Sequence, residues 1–299
     1  MIELLSRLFA RHDTPEDRLV RMAIDGVVAG TDPRLRALGA LAKRLHAPVL
    51  TTIHYVRGIS KGLDPAIELS AAVYGADPRV HAMFGSVDSM RQTIAGDPAL
   101  RSFRQAAGHF TGEEVFALLL AERRLKQVLG MDLHGDLVMR DLTKTVLVFA
   151  RHRLRGVAAS EAEAGRALRV LAFRQIVAAA RKDIERAKSG EPIDAFDADA
   201  AAVAARLRDT GPATLTLDDY LVLVAGVLAH PERHLRIDTF SATIDRMGAL
   251  LDPGDTRSDA DRVTFREVRQ ADREAPTVAL RVRLRPADFP PLQGSPELL

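Results

Sequence analysis

Met131-Asp132-Leu133-His134-Gly135-Asp136 puts two carboxylates and an imidazole at every second position. In a turn, Asp132, His134 and Asp136 can converge on a divalent ion, whose bound water then serves as a nucleophile. That chemistry belongs to a metal-dependent hydrolase. The same residues have a commoner use, with the carboxylates capping the next helix and His134 exposed beside them. A second pair, in His230-Pro-Glu-Arg-His234, has the four-residue spacing of helical zinc ligands. Pro231 interrupts the helix between them, so a helix end with favourably placed imidazoles is the expected outcome.

Cations form the other chemical cluster. Arg123 and Arg124, with Arg151, Arg153 and Arg155, can make one basic surface that binds an anionic partner. Nucleic acid would use such a surface through its phosphates. Interleaved aromatics are missing, however, and Glu122 and Asp141 lie among the cations, so nucleic acid is not the favoured partner. A solvated face, or a dock for the chain's own acidic C-terminal part, is expected instead.

Other chemistries lack their residues. The 299-residue chain has no cysteine, which excludes disulfides, thiolate metal sites, iron–sulfur clusters and cysteine nucleophiles. It contains no nucleotide-binding glycine loop, no nucleophile elbow and no haem signature. Gly58-Ile-Ser-Lys61-Gly62 has the wrong spacing for a phosphate loop. Met1-Ile-Glu3 carries an acid where a secretory signal is basic. The longest strongly apolar stretch, Tyr220 to Ala229, is about half of the ~20 residues that span a bilayer. A cytoplasmic address is therefore expected.

The elements that would position these residues read mostly as helices. Asp-Pro at residues 32–33, 64–65, 77–78 and 97–98 is a helix-start signal, because Asp accepts the free first-turn N–H groups and Pro has none to lose. Thr111-Gly-Glu-Glu114 and Ser160-Glu-Ala-Glu163 have the form of capping boxes. Apolar spacing predicts helices from Val115 to Gly130, over 136–152, over 160–188, near 199–209, and over 217–229 and 238–251. Over 136–152 the β-branched run Thr143–Phe149 competes with that reading. Thr277–Arg285 alternates strictly and predicts a strand, with Val263–Val268 as its antiparallel partner.

The expected fold is thus mainly α: a multi-helix, bundle-like architecture, all-α apart from a small C-terminal antiparallel β-hairpin. Residues 101–190 carry 17 Lys/Arg against 10 Asp/Glu, and residues 191–299 carry 13 against 19. This suggests a helical region over 1–190, basic in its second half, followed by a smaller acidic α+β region over 191–299 with a Pro-rich tail. The functional expectation is a non-enzymatic protein-interaction or adaptor module, self-associating or holding another protein. The hydrolase built on Asp132, His134 and Asp136 and the nucleic-acid binder are its alternatives.

Overall fold

The structure is a computed structural model that describes residues 15–107, 113–134, 137–195, 197–252, 260–271 and 275–290; side chains are not described at 15, 107, 131–134 and 137–141. It divides into two compact units, each assembled from two separated stretches of chain. One comprises Met1–Arg57 and Ala172–His234, the other Gly58–Leu171 and Leu235–Leu299.

The first unit is helical. Its helices are α1 (Pro15–Gly30), most of α2 (Leu41–Gly62), the greater part of α7 (Glu161–Lys188), α8 (Ala198–Thr210) and α9 (Leu217–Ala229). Val27, Leu45, Val49, Ile176, Ile184, Leu221 and Val224 are almost wholly buried within it. The cap reading holds at Asp32, which accepts the backbone N–H of Arg34, and, at the start of α7 in the second unit, at Ser160, which accepts that of Glu163. α9 starts with a capping box between Thr216 and Asp219. Gly30 is required by packing, since a Cβ there would sit 2.8 Å from Val177 Cγ1.

The second unit overturns the expected fold class. Its centre is a seven-stranded sheet: β1 (Ile67–Glu68), β2 (Val115–His134), β3 (Leu137–Ala158), β4 (Leu235–Ile244), β5 (Leu250–Leu251), β6 (Asp261–Gln270) and β7 (Thr277–Leu284). The strand order is β3-β2-β7-β6-β4-β5, antiparallel throughout, with β1 added parallel to β7. A bridge between Val146 and Ala249 brings the chain before β5 back to β3, so the two ends of this path meet. Short helices α3 (Ala71–Ala76), α4 (Pro78–Met83), α5 (Val87–Ala95) and α6 (Pro98–Ala107) pack Val80, Met83, Phe84, Met90, Ile94 and Leu100 onto one face.

The protein is therefore mixed α/β, neither all-α nor a bundle with a minor hairpin. Three stretches expected as helices, Val115 to Gly130, 136–152 and 238–251, are instead β2, β3 and β4 with β5. In the first half of β2, Val115, Ala117, Leu119 and Ala121 bury on one face and Leu118 on the other. A strand covered on both faces reads as a nearly continuous apolar run, and its leucines then fall by chance at helical intervals. Over β3 the β-branched residues carried the correct signal. The expected pairing of Val263–Val268 with Thr277–Arg285 is present, with Arg266 opposite Ala279 and Val268 opposite Thr277. Of the Asp-Pro starts, Asp77 and Asp97 cap helices in this unit, whereas Asp64 does not; its carboxylate pairs with Arg266 at 3.3 Å. Thr111 lies outside the described residues, and Glu114 precedes β2 rather than a helix.

Candidate interaction site

β2 changes character midway. From Phe116 to Glu122 it lies between β3 and β7; beyond Glu122 the ladder, among the described residues, is with β3 alone, as far as His134 opposite Leu137. The second half of the hairpin is thus a two-stranded ribbon, an element that is marginal in water by itself.

The junction is built of ions. Arg123 donates through Nε to Glu267, which is 1% exposed, and its guanidinium lies 4.0 Å from the centroid of Phe240. Arg269 reaches the other Glu267 oxygen at 3.5 Å and Asp238 at 2.8 Å. On the opposite face Glu122 accepts from Arg124 at 2.9 Å and from Arg151 at 3.1 Å. Those two bonds, Arg124 first, hold its carboxyl below the ordinary range. The contact with Arg151 follows from a bulge: Leu120 pairs with Arg153 but Glu122 with Ala150, so β3 carries an extra residue there. Arg151 absorbs it with φ +54°, a conformation costly for a residue with a Cβ. Beside it His152 donates from Nε2 to the Met83 carbonyl at 2.8 Å and stacks on Phe84. Burial pushes its pKa down.

The expected basic surface is consequently split. Alternation along β2 sends Arg123 to the face of Glu267 and Arg124 to the face of Glu122. Arg153 and Arg155 stand opposite Leu120 and Leu118, on the same face as Arg124. Arg151 joins Arg124 at Glu122, while Arg155 donates to the Leu154 carbonyl at 3.0 Å. Much of the arginine charge is therefore committed to carboxylates within the fold.

Asp132 and His134 lie in β2, near the end of a β-hairpin and not in a turn between helices; their side chains, and all of Asp136, are outside the described residues. Among the described residues no group of three or more His, Asp or Glu is arranged to hold a metal ion.

What composition and spacing missed is the outer edge of β2. The Arg123 N–H donates to the Pro276 carbonyl at 3.0 Å, so the odd-numbered residues of this stretch turn their backbone groups away from β3. The Leu147 N–H, opposite Leu125, points away from β2 to the Gly248 carbonyl at 2.8 Å, which confirms the phase. Leu125, Gln127 and Leu129 thus face outward with N–H and C=O together, and no described residue bonds them. On this open segment the side chains of Leu125, Val128 and Leu129 are 51%, 40% and 73% exposed.

The outer edge of β3 is handled differently. At Leu147 it is closed by the turn Asp245–Ala249, itself held by the Asp245 carboxylate accepting from the N–H groups of Met247 and Ala249. At Leu154 it is closed by the carboxylate of Asp97, 2.7 Å from the N–H. Farther out the β3 edge presents Thr143 and Thr145. Comparison with known protein families, curated proteins and solved structures finds no match. Function must therefore be read from the geometry of this chain alone.

In the helical unit a cleft of about 670 Å³ lies over Asp32, Arg34, Ile184, Lys188 and Tyr220. Its cations are already engaged. Asp32 accepts from Arg34 at 2.7 Å and from Lys188 at 2.9 Å, with Lys188 5.2 Å from the Tyr220 ring centroid. Arg181 is held by Glu185 at 2.7 Å. These pairs, led by Arg34, hold the Asp32 carboxyl far below its usual range. The cleft is a satisfied ion network; the outer β2 edge has no bonding partner among the described residues.

Proposed function

We propose that this protein is a non-enzymatic protein-interaction module, and that the outer half of β2 is its binding strand. One observation supports the reading: the edge from Leu125 to Leu129 combines backbone groups that no described residue bonds with exposed large apolar side chains, while the neighbouring β3 edge is sealed at Leu147 and Leu154. Folded proteins block strand edges because an open one recruits other chains. Binding by strand addition draws its affinity from main-chain hydrogen bonds and its specificity from alternate side chains. Here Leu125 and Leu129 would present one apolar face, and Arg124, Lys126 and Val128 a mixed basic and apolar one.

The test is Gln127→Pro. The amide at 127 points away from β3, so proline removes a donor from the open edge and leaves the β2–β3 ladder intact. The variant should keep the wild-type circular dichroism and lose whatever complex the wild-type protein forms, measured by light scattering after sizing and by affinity capture. If every wild-type complex survives, β2 is not the binding strand.

A further inference from the structure

Resting on that reading of β2, we infer that the occupant of the open edge is a second copy of the same edge, paired antiparallel about a two-fold axis through Gln127. Closed dimers need a self-complementary patch, in which residue i of one copy meets j of the other and j meets i. The segment Leu125-Lys126-Gln127-Val128-Leu129 has that property. With the axis at Gln127, Leu125 of each copy lies opposite Leu129 of the other, Lys126 opposite Val128, Arg124 opposite Gly130, and the two Gln127 residues face each other. Leu125, Val128 and Leu129, the exposed large apolar side chains among the described residues of the strand, are covered in one step, and no two cations stand opposite.

Other registers compatible with the backbone phase do less. An axis at Lys126 sets the two lysines directly opposite, and one at Leu125 sets Arg124 against Lys126, like-charge pairs that destabilise a sheet. An axis at Val128 puts Leu129 opposite Gln127, so the leucines no longer meet. The backbone agrees with the Gln127 axis: residues 125, 127 and 129 are the outward-facing ones, so they fall at hydrogen-bonded positions, each donating to and accepting from its opposite number. Two marginal ribbons merge into a four-stranded sheet, the size at which such a structure stands by itself.

The absence of native cysteine makes the register readable by cross-linking, since any disulfide must come from an introduced residue. At a hydrogen-bonded antiparallel pair the Cα atoms are about 5.5 Å apart, within disulfide reach. Gln127→Cys should oxidise to a covalent dimer. Leu125→Cys alone should not, because its two copies would be roughly 14 Å apart along the strand. The same holds for Leu129→Cys alone, whereas a mixture of the Leu125→Cys and Leu129→Cys proteins should cross-link.

A wild-type dimer in which Leu125→Cys cross-links to itself and Gln127→Cys does not overturns the register. A wild-type monomer that still captures another protein, with capture abolished by Gln127→Pro, overturns the second copy as occupant and leaves the binding strand standing. Complexes unaffected by Gln127→Pro overturn both.

Discussion

The two halves of β2 are one strand under two regimes. From Phe116 to Glu122 the strand runs between β3 and β7, and Val115, Leu119 and Ala121 are at most 1% exposed. Beyond Arg123 the same backbone pairs, among the described residues, with β3 alone, and leucines stand in solvent. The difference does not come from residue type, since Leu119 and Leu129 have identical side chains. It comes from where β7 stops. A strand's apolar residues become core or binding surface according to whether a neighbour, distant in sequence, is long enough to cover them.

The largest effect should separate the halves most clearly. Leu119→Ala should cost about 3 kcal/mol by denaturant unfolding, through lost burial and a cavity. Leu129→Ala, at 73% exposure, should change monomer stability by less than about 0.5 kcal/mol. Equal losses at both positions would end the distinction. At the junction, Glu267→Ala leaves Arg123 without its buried counter-charge and should cost on the order of 3 kcal/mol. A variant as stable as wild type would mean that the ion pair does not fix the point where the ribbon leaves the sheet.

A smaller effect is read in pH at the bulge. Burial holds His152 below its ordinary pKa of 6.5, against the weaker pull of the Met83 carbonyl. The unfolded chain therefore takes up a proton first, and stability falls as pH drops below about 6.5, by at most about 1.4 kcal/mol per pH unit for one group. His152→Gln should flatten that part of the profile; an unchanged slope between pH 6.5 and 5.5 would show that His152 does not titrate in the way its burial dictates. The smallest change in stability should accompany the largest change in association. Leu129→Lys should unfold within about 0.5 kcal/mol of wild type and yet sediment as a monomer at concentrations where wild type does not. Unaltered sedimentation would remove Leu129 from the contact.

Local signals were legible where the chemistry is local. Asp32, Asp77 and Asp97 cap as their Asp-Pro pairs imply, because a cap is made within four residues. The alternation of Thr277–Arg285 names a strand because in its second half Val282 and Leu284 are buried while Arg281 and Arg283 between them are only partly so. β2 was illegible for the opposite reason: helices cover one face, Leu63 and Leu168 approach Leu118 on the other, and the alternation that marks a strand is erased. Among the arginines, nearness in sequence suggested one surface, but two-residue alternation divides Arg123 from Arg124, and a single extra residue in β3 brings Arg151 to Glu122. The open edge left no trace in composition, since its existence depends on β7 ending opposite Glu122.

That dependence has a consequence for synthesis. β2 and β3 are adjacent in the chain and can pair as soon as both have left the ribosome. β7, which covers the inner half of β2, begins 119 residues after β3 ends, at 277 against 158. At translation rates of about 5–20 residues per second, the inner edge of β2 waits on the order of ten seconds for its neighbour. During that interval β2, already paired with β3, leaves its β7-facing edge open from Val115 onward, with the apolar run Val115–Ala121 along it. The nascent protein is thus most vulnerable to misassembly along the strand that, once complete, keeps only its outer half open.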